Sequence, residues 1–143
     1  MVRIELETEI QSSLKKVYDI AVNTKDSAKW CLPVKEASEI SEGKFDIKST
    51  VGDFTYIHTE NVENEKHSAS IEGGIFSAMG YIFSLKGDLV KAILWGEFDD
   101  EKNEKALRKA GELLLQSLKS FAEFLEEGGN ADDFDKKEIT VAP

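Results

Sequence analysis

The 143-residue sequence has one cysteine, two prolines, two histidines and no long apolar run. A single cysteine excludes an intrachain disulfide and a four-cysteine zinc site. Two histidines leave little for acid–base chemistry or a histidine-rich metal centre. No uninterrupted apolar stretch approaches the roughly 20 residues that span a bilayer, so at most a peripheral membrane contact is expected. The start, MVRIELETEI, alternates charges with apolar residues where a signal peptide needs an apolar core, which makes the cytoplasm the expected compartment. Cations are scarce as well. With 18 Lys and Arg against 28 Asp and Glu, the net charge of -10 repels phosphate backbones and anionic lipid surfaces, and no nucleic-acid partner is expected. There is no phosphate-cradling loop closed by Lys-Ser/Thr, no Gly-x-Ser-x-Gly elbow and no His-Glu-x-x-His. No cofactor and no metal is expected.

What the chain does have is periodicity. At 41% hydrophobic it fits one domain able to bury roughly 68–70% of the surface its unfolded form exposes. Residues 2–10 alternate strictly, Val2, Ile4, Leu6, Thr8 and Ile10 against Arg3, Glu5, Glu7 and Glu9, which predicts a half-buried strand. Leu14, Val17, Tyr18 and Ala21 then fall at helical spacing, opened by Ser12 or Ser13 as cap, giving a helix over 12–22. A shorter helix from Thr24 or Asp26 to Cys31 is ended by Pro33, which biases Leu32 away from helical dihedrals. From residue 34 the period becomes two, and turn-forming stretches separate strands at 34–41, 44–51, 53–62, 66–72, 75–86 and 89–98. Their inward faces read as Phe45, Ile47 and Val51; Ile75, Met79, Tyr81, Phe83 and Leu85; and Val90, Ala92, Leu94 and Phe98. A long helix over 103–127 carries the stripe Leu107, Gly111, Leu114, Leu118, Phe121 and Leu125, and Gly128 and Gly129 stop it. Residues 1–128 thus form the domain, and 129–143 a flexible acidic tail.

One strand, two short helices, a six-strand meander and a long final helix is an uncommon order, and only the last helix is long enough to cover a curved sheet's apolar face. The arrangement resembles the helix-grip fold of the START/Bet v 1-like (SRPBCC) superfamily, an α+β architecture in which about seven curved antiparallel strands wrap around the C-terminal helix. Within it, WCLPVKEASEIS, GKFDIKSTVGDF and the glycine-bearing IEGGIFSAMGYIFSL resemble the CoxG family, small proteins associated with carbon monoxide dehydrogenase, over residues 1–127. Val34 stands where that family usually has glycine, and the chain stops at Pro143 where some members continue into a membrane-associating extension.

The resemblance implies non-enzymatic binding of a hydrophobic small molecule, lipid- or quinone-like, between sheet and final helix. It also implies a CO dehydrogenase-type molybdenum enzyme as a partner, served in its maturation or membrane recruitment. The expected cavity residues are Trp30, Leu32, Phe54, Tyr56, Met79, Tyr81, Phe83, Leu94, Gly111, Leu114, Leu118 and Phe121, with Trp30, Cys31 and Leu32 plugging the mouth. Tyr81 is the polar handle, because its hydroxyl can orient a carbonyl while its ring packs. Cys31, a lone thiol with no histidine nearby in sequence, reads as a small buried hydrophobe, and His58 and His67 read as surface or rim residues able to approach one another. Ile93 and Trp95, side by side on the outward face, mark a contact surface for a second copy or another partner. Two alternatives stand beside the binder: an interaction protein whose cavity is filled by side chains, and a small cyclase- or hydratase-like enzyme using His58 or Tyr81. Cavity volume separates the first two readings.

Overall fold

A computed structural model describes residues 1–139. The last four positions of the expected tail lie outside the described residues. The chain runs β1 (Val2–Ile10), α1 (Leu14–Val22), a 3-10 turn (Thr24–Asp26), α2 (Ser27–Trp30), β2 (Val34–Ser41), β3 (Lys44–Ser49), β4 (Gly52–Val62), β5 (Lys66–Glu72), β6 (Ala78–Lys86), β7 (Leu89–Phe98) and α3 (Glu104–Glu126). Every strand pairs antiparallel with its neighbour in the order β1-β7-β6-β5-β4-β3-β2. β1 therefore closes against β7, with Val2 opposite Phe98 and Ile10 opposite Val90.

Local chemistry sets these boundaries. Ser13 caps α1, its side chain accepting from the Lys16 amide. Pro33 follows α2, and the Val34 amide turns back to the Cys31 carbonyl as the chain enters β2. α3 ends where Gly128 takes φ +94° and its amide reaches back to Leu125, a left-handed conformation that glycine adopts without a Cβ clash.

Two strand assignments need correction. β6 begins at Ala78 rather than 75, because Gly73 at φ +80° and Gly74 make a tight turn and the chain spends three further residues before rejoining the ladder. The alternation slips across that segment. Ile75, expected inside, is 36% exposed, while Phe76 turns in and packs its ring 5.0 Å from that of Phe54. Leu85, also expected inside, is 65% exposed, for it stands beside the β6–β7 turn, where a hairpin tip meets water on both faces. β3 stops at Ser49, so Val51 lies in the turn to β4.

The segment expected to be loose is instead laid against the domain as far as it is described. Two short 3-10 turns, Ala131–Asp133 and Lys136–Glu138, bring Phe134 into edge contact with Phe121 and Phe124. The Lys136 ammonium donates to the carbonyls of Ala28 (2.5 Å), Val34 (2.6 Å) and Cys31 (3.2 Å), satisfying carbonyls at the end of α2 and the start of β2. Lys29 of α2 adds an ion pair with Asp132 at 2.7 Å, so the tail is anchored by an aromatic, a lysine and one of its own acids.

Candidate functional site

Between α3 and the concave face of the sheet lie two small apolar chambers. The first, about 90 Å³, is walled by Leu94 and Phe98 of β7, Leu107, Gly111 and Leu114 of α3, and Phe76. The second, about 70 Å³, lies under α2 and is lined by Ala21, Thr24, Ser27, Trp30, Cys31, Tyr56 and Tyr81, among others. Val34, Phe54, Met79 and Leu114 line both, so these four side chains are the partition. Neither lining contains an ionised side chain.

Gly111 explains how α3 comes so close. A Cβ there would lie 2.7 Å from Leu6 Cδ1 and 3.4 Å from Leu94 Cδ2, so the missing methyl sets the floor of the first chamber.

Behind the Tyr56 and Tyr81 wall of the second chamber runs a row of rings on neighbouring strands. The rings of His58 and His67 stand 4.6 Å apart, those of His67 and Tyr81 6.2 Å, and those of Tyr81 and Phe83 5.6 Å. His67, expected on the surface or rim, is 0% exposed. Its neighbours on the sheet explain why: β5 is central, and the pairs Asn61–His67 and His67–Tyr81 fix the ring beneath the concave face. The Asn61 amide oxygen faces Nδ1, which therefore carries the ring proton, and Nε2 accepts from the Tyr56 hydroxyl at 2.5 Å. Burial lowers the His67 pKa to about 4, with the charge of His58 adding to the effect. Burial likewise lowers that of the rim residue His58, opposed by the charge of Glu39, and its Nε2 meets Thr24 Oγ1 at 2.8 Å. The Tyr56 and Tyr81 hydroxyls are raised by burial, and the Cys31 thiol is pushed up to about 12 for the same reason. Cys31 is thus a neutral thiol at physiological pH, in keeping with its reading as a small buried hydrophobe.

Of the residues expected in the cavity, Phe54, Tyr56, Met79, Tyr81, Leu94, Gly111 and Leu114 line the chambers. Trp30 does too, and its outer side also borders a surface groove of about 490 Å³ between α1 and Ala131. It is a buried wall, 4% exposed and stacked on Phe121 at 6.2 Å, rather than an open rim. Leu32, Phe83, Leu118 and Phe121 lie outside both linings. Leu32 is held by its amide, which donates to Ser117 Oγ at 3.0 Å; Phe83 and Leu118 are core, and Phe121 faces the outer groove. Sequence reasoning missed Ser27, Val34 and Phe76. Only the phase slip after Gly73 and Gly74 signalled the last of these.

On the convex face the Trp95 ring covers Gly80, where a Cβ would meet Cζ2 at 2.6 Å, and the Arg3 guanidinium lies 4.5 Å from its centre. Ile82 and Ile93 stand opposite each other beside it.

No family model and no curated protein matches this sequence. Solved structures do resemble the fold. The protein XoxI from Bacillus cereus is 13% identical, with 88% of this chain and 99% of that one superposed at a TM-score of 0.75. A START superfamily protein from Mycobacterium smegmatis is 12% identical over 86% of this chain and 98% of that one, at 0.76. The di-domain ARO/CYC StfQ from the steffimycin biosynthetic pathway is 12% identical over 85% of this chain and 50% of that one, at 0.66. At such identities the likeness is one of fold: the chain has the seven-strand helix-grip architecture of START and Bet v 1-like proteins.

Proposed function

We propose that the protein binds a small hydrophobic molecule, lipid- or quinone-like in chemistry, between α3 and the sheet, without transforming it. The observation that carries this reading is the pair of adjoining apolar chambers separated only by side chains, two of them the flexible Met79 and Leu114. A drug-sized ligand needs roughly 300–1,000 Å³, so occupancy requires these side chains to swing aside and merge the chambers. Service of a CO dehydrogenase-type molybdenum enzyme rests on the sequence resemblance alone and names the partner to try first.

The modest chamber volumes favour a second reading, in which the cavity is structural and the outer surface recruits a partner. Ile82, Ile93 and the flat Trp95 ring would then form the contact, to a partner enzyme or a second copy. Titration with the neutral dye N-phenyl-1-naphthylamine separates the two. Saturable one-to-one fluorescence enhancement, lost in a folded Leu114→Trp variant, supports the binder. A protein that never enhances the dye, yet self-associates until Trp95→Ser is introduced, supports the surface.

A further inference from the structure

We infer that the ligand is an uncharged molecule carrying one hydroxyl or carbonyl group, bound with that group against Tyr56, Tyr81 and Ser27 and its apolar body running past Met79 and Leu114 into the first chamber. This rests on the ligand-binding reading above and adds the ligand's charge, head group and orientation.

The polarity of the two chambers is the first ground. The lining of the first is carbon-rich, its Ser49 hydroxyl spent on the Gly52 carbonyl, whereas the second gathers the four hydroxyls of Thr24, Ser27, Tyr56 and Tyr81 and the Cys31 thiol. Hydrogen-bonding capacity is the second. Tyr56 spends its proton on His67, so its oxygen presents lone pairs and accepts. Ser27 Oγ is shielded from water and has no hydrogen-bond partner among the described residues, which leaves a donor and an acceptor unpaired. Tyr81, across from His67, brings a further hydroxyl to the same lining. A hydroxyl or carbonyl oxygen placed among them meets both donors and acceptors.

Charge is the third ground. No Asp, Glu, Lys or Arg lines either chamber. The nearby Lys136 ammonium has its three donors committed to the carbonyls of Ala28, Cys31 and Val34. The imidazole behind Tyr56 is held neutral by burial. A carboxylate head would therefore lose its hydration with no cation to replace it.

The test compares octan-1-ol, octan-2-one and octanoate by isothermal titration calorimetry at pH 8, where the acid is ionised. The alcohol and ketone should bind at least about tenfold more tightly than octanoate, the margin expected when an ion enters an uncharged site. Tyr81→Phe should weaken the alcohol roughly fivefold to tenfold while sparing N-phenyl-1-naphthylamine, the size of one lost hydrogen bond. Ser27→Ala, at a partly exposed position and so tolerant of change, is the second variant should Tyr81→Phe not fold. Octanoate binding as tightly as octan-1-ol overturns the inference, as does an alcohol affinity untouched by either variant. In both cases dye binding shows that the ligand-binding reading survives. If neither the dye nor any eight-carbon probe binds, the binding reading fails and takes the inference with it.

Discussion

The two halves of α3 rest on the same sheet and are packed differently. In the C-terminal half, Leu115, Ser117, Leu118, Phe121 and Ala122 are all buried, against Ile10, Val17 and Val90, which are themselves closed to water. Polar ties lock that half to the start of the chain: Lys119 donates to the Glu9 carbonyl, the Gln11 amide to Glu123, and Lys16 pairs with Glu126. In the N-terminal half only Leu107 is buried, and Gly111 and Leu114 front the chambers. One end of the helix is a clamp and the other a lid. A helix grip can thus keep its fold while leaving room to bind, because stability and occupancy draw on different turns of one helix.

The largest effect that could break this division concerns Trp30. As a buried wall at the clamped end it should cost about 3–5 kcal/mol when truncated to Ala, read from the denaturant midpoint. A small cost with faster dye exchange would move Trp30 to the lid. Leu118→Ala should cost about 3–4 kcal/mol and Leu114→Ala about 1–2 kcal/mol, with dye affinity raised only in the latter. Equal costs would erase the distinction between the two halves.

The boundary between them can be sharpened by pH. His67 has its folded pKa lowered from 6.5 to about 4, so between those values the unfolded chain takes up a proton that the folded chain refuses. Its contribution is fully present above pH 6.5 and is lost as pH falls, by roughly 2 kcal/mol at pH 5. Stability measured from pH 8 to 4.5 should fall more steeply in the native protein than in His67→Gln. Parallel curves would place His67 in contact with water. The smallest effect is at Gly111, where Ala gains helix propensity of about 1 kcal/mol and meets the movable end of Leu6. Stability should stay within about 1 kcal/mol of native while dye affinity drops, read by thermal melt and titration on one sample.

Periodicity made the frame readable. Strict alternation from Val2 to Ile10 and the stripe from Leu107 to Leu125 specify a strand and a covering helix without any tertiary knowledge, and the order of β2 to β7 follows from the meander. Where the reading slipped, geometry had intervened. Gly73 and Gly74 changed the phase before β6, and a residue's face is all that alternation can state. It could not say that Leu118 and Phe83 would be packed solid while Leu114 and Tyr81 fronted space, because that depends on helix height above the sheet, set by Gly111. His67 illustrates the other limit. A histidine between polar neighbours looks like surface, and only its place on a central strand, with Asn61 and Tyr56 to satisfy both nitrogens, makes it interior.

The pairing of β1 with β7 has a consequence for how the chain is made. Val2 is synthesised well before its partner Phe98, with five strands made in between. At ordinary elongation rates the wait is roughly 5–20 s, far longer than hydrophobic collapse takes. Throughout it β1 offers an unpaired, half-apolar edge to any other nascent chain. Its outward row, Glu5, Glu7 and Glu9 beside the single Arg3, is then more than a solvated face, since the net negative charge on two such strands repels if they meet edge to edge. On the ribosome, the acidity of this first strand serves as protection during the interval before its partner exists.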